Sequence, residues 1–425
     1  MTNTNKRSQA PSGFRFIDLF SGIGGFHLAL EGLGGTCVLA SEIDPDCQAV
    51  YRRRFPHTPL IGDIRALTAR PDSIPEHDVL AAGFPCQPFS KSGAQLGLRD
   101  QTRGTLFFDI MEVVRARRPR YVILENVRNI AGPRHRETWR TVIESLREEG
   151  YSVGGEPLVL SPHLLSPEQG GAPQVRDRVF ILAEYGVPTS ELADLALLRS
   201  KLRLNWSPQL WRIEDHLTPD DAIDIPERYR LRPEEVRWLD AWNEFMQHLP
   251  ADGLPGFPIW VEAFTRTPQA TDVPLWKAIF NRKNSALYME NRRWIESWLK
   301  RWRVRDFPRS RQKFEWQARG HEPDVWKLVV HLRPSGIRVK AATYLPALVA
   351  ITQTSIIGSR RRRITPREAA RLQSFPEDFQ LHPVDAIAYR QLGNAVNVGV
   401  ASFVAQELMG RREMQGNRSN LRLVS

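Results

Sequence analysis

Cysteine, long apolar runs and an N-terminal signal segment are scarce or missing in this chain of 425 residues. Its three cysteines, Cys37, Cys47 and Cys86, argue against a disulfide framework and for a reducing compartment. No run of about 18 apolar residues occurs, and residues 1–12 form a polar N-terminus without an apolar signal segment. We therefore expect a cytoplasmic protein that is neither secreted nor membrane-spanning.

The spacing of the cysteines argues against zinc chemistry. A structural zinc site requires Cys-x-x-Cys pairs, and the chain has none. A zinc-dependent nucleobase deaminase would place a second cysteine three positions after Cys86, where Phe89 stands. We therefore expect no metal site.

Basic residues exceed acidic ones by 59 to 48, which gives a formal net charge of +11. Such an excess is typical of proteins with a polyanionic partner, nucleic acid above all. Hydrophobic content of 41% and charged content of 25% are ordinary for a globular protein. A chain of this length is expected to form more than one domain.

A glycine-rich turn separates the first predicted strand, residues 14–20, from a helix that begins at Phe26. Turns of this kind let a ligand approach the backbone at the start of a helix. His27 stands where the dinucleotide fingerprint requires its third glycine, so a pyrophosphate is not the expected ligand. The alternative is that the turn is only structural.

Acidic residues follow the next two predicted strands. Residues 36–41 read as a strand that ends at Glu42, about 20 positions after the turn, where a carboxylate can accept hydrogen bonds from ribose hydroxyls. Residues 45–54 read as a helix, and Asp63 follows as a carboxylate for an exocyclic amine. Glycine, glutamate and aspartate at three successive strand ends suit a nucleoside without phosphate, such as S-adenosylmethionine.

Cys86 lies where an apolar strand, residues 77–82, gives way to a Gly/Ser-rich segment, residues 90–104. Pro85 and Pro88 restrict the backbone on either side of it. Open α/β sheets place their chemistry at this end of a strand, which makes Cys86 a candidate nucleophile. The alternative is a small buried apolar side chain, a common fate of free cysteine.

Charged residues also flank two later apolar strands. Glu125 follows the strand 121–124, and its alternative interpretation is a helix cap. Arg176 and Arg178 precede the strand 179–182, where either one can reach a base oxygen or a phosphate, or remain a solvated edge charge. Strands that alternate with helices through residue 130 predict a parallel, doubly wound α/β sheet.

Six segments together resemble the motifs of DNA (cytosine-5) methyltransferases of the prokaryotic restriction-modification type. They occur in that family's usual order, within residues 14–183 and 341–408. The segments are FSGIGG at 20–25, GFPCQP at 83–88, ENV at 125–127, QVRDR at 174–178, RITPREAARLQSFP at 363–376 and QLGNAV at 391–396.

The resemblance implies a Rossmann-like, S-adenosylmethionine-dependent methyltransferase domain with a smaller target-recognition domain. Eleven of the 12 tryptophans fall between residues 206 and 326, a shift in composition that marks the second domain. Three of them, four residues apart between 294 and 302, are interpreted as its core. The expected divisions are an N-terminal tail at 1–13, the catalytic and cofactor-binding domain at 14–185, the target-recognition domain at 186–385, a C-terminal helix at 386–411 that returns to the catalytic domain, and a tail at 412–425.

The resemblance also assigns roles to single residues. In catalysis, Cys86 would attack C6 of cytosine, Glu125 would bind N3 and the 4-amino group, Arg178 would bind O2, and Arg176 would hold Glu125 or the adjacent phosphate. Phe20 would lie against the adenine of the cofactor. The other expected cofactor-binding residues are Gly22 and Gly24 at the methionine end, Glu42 at the ribose, Asp63 at the adenine amine, and Ile64, Leu106, Asn394 and Val396 along the pocket.

The expected partner is double-stranded DNA from which the target cytosine is flipped out, with a cognate restriction endonuclease as a further possibility and a monomer as the expected state. An RNA cytosine methyltransferase of similar architecture is one alternative. A non-catalytic DNA-binding protein is another. A cysteine hydrolase is a third, although the nearest upstream histidine, His77, stands nine residues before Cys86.

Overall fold

The chain forms two compact units. The computed structural model describes residues 13–85, 106–188, 202, 206–219, 225–250, 254–264, 273–348 and 354–410. The first unit comprises Met1–Leu210, Ala347–Ala350 and Ala369–Ser425, and the second comprises Trp211–Pro346 and Ile351–Glu368. The second unit is thus shorter at both ends than the predicted range 186–385. It begins at Trp211, and the chain rejoins the first unit at Ala369.

Eight strands of the first unit form one sheet. These strands are β1 (Arg15–Leu19), β2 (Thr36–Ser41), β3 (Leu60–Ile61), β4 (Val79–Gly83), β5 (Tyr121–Val127), β6 (Tyr151–Val153), β7 (Leu158–Leu160) and β9 (Arg178–Tyr185), while β8 (Gln174–Val175) lies outside the sheet. The helices of this unit are α1 (Gly25–Glu31), α2 (Pro45–Arg54), α3 (Arg65–Thr68), α4 (Leu106–Arg117), α5 (Arg136–Glu148), α10 (Asp385–Asn394) and α11 (Val398–Met409).

The strand order is β3-β2-β1-β4-β5-β9-β6, and β7 also pairs with β9. The first five strands are mutually parallel. Strand β9 runs antiparallel to β5, and β6 and β7 run antiparallel to β9. The predicted mostly parallel α/β sheet is confirmed, as are the predicted bounds of β2 and α2.

Both faces of this sheet are covered, because successive side chains of a strand point to opposite faces. Phe16 of β1 packs into the core that contains α1 and α11, whereas the adjacent Ile17 packs into the core that contains α4 and α5. Val79 and Leu80 of β4 divide in the same way. The carboxyl ends of the parallel strands are therefore the part of the sheet free to form a site.

The second unit is built on a six-stranded sheet in the order β10-β11-β13-β12-β15-β16. These strands are β10 (Ile259–Trp260), β11 (Lys313–Trp316), β12 (Val329–Arg333), β13 (Gly336–Lys340), β15 (Ile356–Ile357) and β16 (Arg362–Arg363); β14 is Leu345–Pro346. The remaining helices are α6 (Pro233–His248), α7 (Leu275–Glu290), α8 (Arg292–Trp302) and α9 (Pro366–Leu372). None of the helices within the described ranges is both long enough and apolar enough to span a membrane.

Tryptophans of α6 and α8 form the centre of the core of the second unit. Trp242 and Trp298 are fully buried with ring centroids 5.1 Å apart, and Trp242 stacks on Phe314 of β11. The indole nitrogen of Trp298 donates to the carbonyl of Ala241 at 2.8 Å, so this buried polar atom is satisfied. The interpretation of the tryptophan stripe as core is confirmed at Trp298.

Candidate active site

A cavity of about 450 Å³ opens at the carboxyl ends of β1, β2, β4 and β5, a volume suited to a nucleoside-sized ligand. Most of the predicted site residues line it. They are Phe20, Gly22, Glu42, Asp63, Ile64, Leu106, Glu125, Arg178, Asn394 and Val396. Chain segments almost the full length of the first unit apart thus meet at one site.

The glycine turn after β1 is braced by Glu42. Phe20 and Gly22 both have positive φ, 57° and 55°, so the chain turns sharply between β1 and α1. Gly22 N donates to Glu42 Oε2 at 2.8 Å, and Asp44 N donates to Glu42 Oε1 at 2.7 Å. Each carboxylate oxygen has a second lone pair, so Glu42 can accept a further hydrogen bond from a ligand in the cavity.

Two other glycines of the turn serve packing. Gly24 does not line the cavity; a Cβ there would lie 2.4 Å from Cε2 of Phe55, and its φ is 91°. A Cβ on Gly25 would lie 2.4 Å from the carbonyl oxygen of Val396. The start of α1 and the C-terminal segment therefore touch through a position that only glycine can occupy.

Behind the turn lies a buried polar pair that the sequence analysis missed. Asp18 of β1 accepts a hydrogen bond from His27 N at 3.1 Å, and burial raises the pKa of its carboxyl well above the usual value. The His27 ring stacks on Phe55 at 3.6 Å and bonds Tyr51 Oη through Nδ1 at 2.6 Å. Burial, with a smaller effect of Arg54, lowers the pKa of His27 to about 3, so this histidine is neutral.

Glu125 lies inside β5, paired in register with Gly83 of β4, so the helix-cap interpretation is wrong. Its Oε1 lies 3.0 Å from Nε of Arg178, and both residues line the cavity. Burial raises the pKa of the Glu125 carboxyl, and the charges of Arg178 and Arg176 oppose that shift only in part. A buried carboxyl of this kind is equipped to carry a proton.

Arg176 was expected to hold Glu125 or a phosphate, but its hydrogen bonds go elsewhere. Its side chain is 1% exposed, and Nη2 donates to the carbonyls of Gly393 and Ala395, both at 2.8 Å. Nη1 reaches the carbonyl of Leu348 at 3.4 Å. The hydrogen bonds of this guanidinium thus go to backbone carbonyls, and it fixes the segment that carries Asn394 and Val396.

Asn126 is a second position that the sequence analysis did not single out. Its Nδ2 donates to the carbonyl of Phe84 at 2.9 Å, and its Oδ1 accepts from Val127 N at 2.8 Å. The amide therefore ties the end of β4 to β5. Pro85 lines the cavity, and the predicted nucleophile, Cys86, lies outside the described residues.

Gln391 of α10 lines the cavity as well, and its side chain is almost fully buried, at 3% exposure. Within the described part of the chain, neither Oε1 nor Nε2 has an oxygen or nitrogen partner. The thiol of Cys47 beside it is a weak hydrogen-bonding group. A buried amide left without partners on a cavity wall has capacity for a polar ligand.

The described residues contain no cluster of three His, Cys, Asp or Glu side chains arranged to hold a metal ion. The groups that line the cavity are carboxylates, amides, hydroxyls, a thiol, the guanidinium groups of Arg65 and Arg178, and apolar side chains. Such a set can recognise a nucleoside by hydrogen bonding and apolar contact.

The sheet and the cavity define a protein of the Rossmann-like methyltransferase fold. A family model described as C-5 cytosine-specific DNA methylase matches residues 14–410. The chain therefore belongs to this family and is a DNA (cytosine-5) methyltransferase. Membership in a family of DNA-methylating enzymes sets aside the hydrolase, the non-catalytic protein and the RNA methyltransferase as leading interpretations.

Relatives that are similar over nearly the whole chain are also methyltransferases by name. Type II methyltransferase M.AluI of Cellulosimicrobium cellulans is 39% identical over 95% of this chain and 93% of its own length. M.BanI of Aneurinibacillus aneurinilyticus is 33% identical over 93% and 95%, and M.HhaI of Haemophilus parahaemolyticus is 29% identical over 93% and 94%. The similarity to Type II methyltransferases assigns the protein to the restriction-modification type.

Proposed function

We propose that the protein transfers a methyl group from S-adenosylmethionine to C5 of a cytosine flipped out of duplex DNA, through a covalent bond between Cys86 Sγ and C6. The observation that carries this proposal is the Glu125–Arg178 pair at 3.0 Å on the wall of a nucleoside-sized cavity. Pro85, the neighbour of Cys86, lines the same cavity.

The volume and the lining of the cavity support S-adenosylmethionine as the cofactor. Glu42 would accept hydrogen bonds from the ribose hydroxyls, and Asp63 would accept one from the adenine amine. Phe20 would lie against the adenine ring. Gly22 would face the methionine end, whereas Gly24 acts through packing. Apolar contact and the remaining polar contacts would come from Ile64, Leu106, Asn394 and Val396. When bound, the cofactor supplies an electrophilic methyl group on a sulfonium sulfur.

Cytosine C5 is a poor nucleophile until C6 has been attacked. A thiolate at Cys86 adds to C6, electron density moves to C5, and C5 takes the methyl group from the sulfonium. Loss of the C5 proton to water would then re-form the C5–C6 double bond and break the bond between C6 and Sγ, which returns Cys86 as a thiolate. S-adenosylhomocysteine is the co-product, so the exchange balances without a metal.

Addition of the thiolate builds negative charge at N3, which Glu125 would offset. Its raised pKa means that the carboxyl holds a proton, or shares one, at a pH where an exposed glutamate would not. Arg178 would bind O2 of the base and steady the carboxyl. Arg176 would not contact the base and would instead position residues 393–395.

The reacting base cannot reach these groups while it is stacked, so the target cytosine must leave the duplex. We assign target recognition to the second unit, which carries a basic segment between α7 and β11. We further propose a cytoplasmic monomer that acts beside a restriction endonuclease of the same DNA site.

Trapping with 5-fluorocytosine tests the covalent step. A DNA duplex with 5-fluorocytosine at the methylated position, mixed with enzyme and S-adenosylmethionine, is expected to stay attached to the protein in denaturing gels, because fluorine cannot leave as a proton does. Cys86→Ser should give no adduct, and Glu125→Gln should slow its formation. Absence of any adduct from an enzyme that methylates ordinary DNA would overturn the mechanism; methylation of tRNA but not DNA would overturn the substrate.

A further inference from the structure

The second unit has a row of charged side chains on the sheet face opposite its core. In β13 and in β12 from Val330 onward, apolar and polar residues alternate: Val330 and Leu332 are buried in the core, as are Ile337 and Val339. Period-two alternation then sends the intervening residues to the other face. We name this set the cationic face; it comprises Lys313, Glu315, His331, Arg333, Arg338 and Lys340. Val329, which pairs with Lys340, is a buried apolar residue on the same side of the sheet, opposite the core.

The register of the strands makes these residues neighbours. Glu315 of β11 pairs with Arg338 of β13, and Arg338 pairs with His331 of β12. Arg333 is two residues after His331 in β12, and Lys340 is two residues after Arg338 in β13. The two therefore lie on opposite sides of that row. Directly opposed residues on one face have Cβ atoms about 5 Å apart, so the charges of this face act on one another.

The charges do not balance on the cationic face. Glu315 Oε2 accepts from both Arg333 Nη2 at 3.0 Å and Arg338 Nε at 2.9 Å. Lys313 pairs with Glu262 at 3.1 Å. Within the described ranges Lys340 has no acidic partner, so three cations (Arg333, Arg338 and Lys340) share one carboxylate.

Burial and the neighbouring cations lower the pKa values of two groups on this face. Burial and the charge of Arg338 lower the pKa of Lys340. Burial, followed by the charges of Lys340, Arg333 and Arg338, lowers the pKa of His331 to about 4, so His331 adds no charge near neutral pH. Arg333 Nε is buried without a hydrogen-bond partner in the described structure.

Like charges held together at a cost, with an unsatisfied donor among them, favour an anionic ligand. The side chains of Arg333 and Arg338 remain 29% and 28% exposed, so a ligand can reach them. A row of guanidinium and ammonium groups along a sheet suits a repeated anion such as the phosphodiester backbone.

We propose that Arg333, Arg338 and Lys340 bind phosphates of the DNA duplex and orient the second unit on it. This inference rests on the proposed function, because it takes DNA as the substrate. The three side chains would position the protein on the duplex without reading its bases.

The test is the salt dependence of binding to a fluorescein-labelled DNA duplex, measured by anisotropy with S-adenosylhomocysteine present. Lys340→Gln removes no ion pair of the described structure, so this variant should keep its fold. Each lost phosphate contact is expected to make the plot of log K against log salt shallower by about 0.9, with roughly twice that change for the Arg333→Gln/Lys340→Gln pair. Glu315→Gln should instead tighten binding at low salt.

Lys327→Gln is the matched control, since Lys327 is an exposed lysine of the same unit that pairs with Glu322 and is not a member of the cationic face. It should bind DNA with the salt dependence of the unaltered protein. The inference is overturned if Lys340→Gln and the double variant keep the unaltered slope while the parent enzyme binds and methylates DNA. If the parent enzyme itself binds no DNA, the proposed function fails instead.

Discussion

Arg178 Nε lies 3.0 Å from Glu125 Oε1, and the two residues come from adjacent antiparallel strands at the cavity wall. Arg178 pairs in register with Val127, so its side chain reaches back along β5 to the carboxyl. The arginine limits how far burial raises the pKa of Glu125 and also fixes where the carboxyl points. The pair therefore sets both the proton affinity and the direction of the carboxyl that we propose acts on the base.

Glu125→Gln should lower methyl transfer by about 10²- to 10⁴-fold, because the amide cannot share a proton with N3 of the base. DNA affinity and S-adenosylhomocysteine affinity should change only slightly. Tritiated-methyl transfer to DNA, together with anisotropy and calorimetry for binding, separates the two effects. A variant with normal transfer rates would show that Glu125 does not act on the base.

Arg176→Lys should raise the KM for S-adenosylmethionine about tenfold and change kcat less, because one ammonium cannot replace the fork that holds the carbonyls of Gly393 and Ala395. Steady-state kinetics with both substrates varied measures the split. Arg128→Lys, in an exposed pair with Asp177, is the control and should change neither constant. A fall in kcat at unchanged KM would favour instead the role implied by the family resemblance, contact with Glu125 or a phosphate.

Gln391→Leu should have opposite effects on the free and bound protein. Removal of two buried amide atoms without oxygen or nitrogen partners should stabilise the ligand-free protein by about 1 kcal/mol or more. Loss of a hydrogen bond to the cofactor should weaken binding about tenfold. Thermal melts with and without S-adenosylhomocysteine measure both quantities.

Gln373→Leu is the matched control for Gln391. Gln373 is buried in the same unit and donates to the carbonyl of Leu392 at 3.0 Å, but it does not line the cavity. The Gln373→Leu variant should therefore be less stable than the unaltered protein and keep its cofactor affinity. Unchanged cofactor affinity in Gln391→Leu would remove Gln391 from the binding site.

The contribution of His27 to the stability of the first unit should fall as the pH drops from about 6.5 toward about 3, because His27 takes up a proton in the unfolded chain well before it does in the native one. The expected slope is about 1.4 kcal/mol per pH unit for this one group. Urea unfolding followed by circular dichroism at about pH 7 and about pH 5 measures it. His27→Gln should reduce the slope, and the exposed His57→Gln should not; equal slopes for both variants would contradict the assignment.

Local signals explain what the sequence predicted well. The strand Thr36–Ser41 and the helix Pro45–Arg54 have the predicted bounds because Asp44 caps the helix and Pro45 suits its first turn. Glu42, Asp63 and Glu125 were predicted from their positions at strand ends, since parallel strands bring such positions together. The family resemblance instead implied Leu106, Asn394 and Val396. Their assigned roles remain predictions.

Long-range contacts explain what the sequence did not show. Nothing near Arg176 in the chain indicates that its partners are carbonyls more than 200 positions away. The run Arg360–Arg363 has the pattern of a solvated or phosphate-binding segment, yet Arg362 is 1% exposed and paired with Glu368 at 2.9 Å. The unpartnered amide of Gln391 depends on packing that no local pattern encodes.

The contact between Gly25 and Val396 has a consequence for protein synthesis. The wall that faces the glycine turn is made from residues that leave the ribosome some 370 positions later. A nascent chain can fold its strands early, yet it has no closed nucleoside pocket until α10 and the segment after it emerge. We therefore expect a chain whose synthesis stops before Val396 to have no methylating activity.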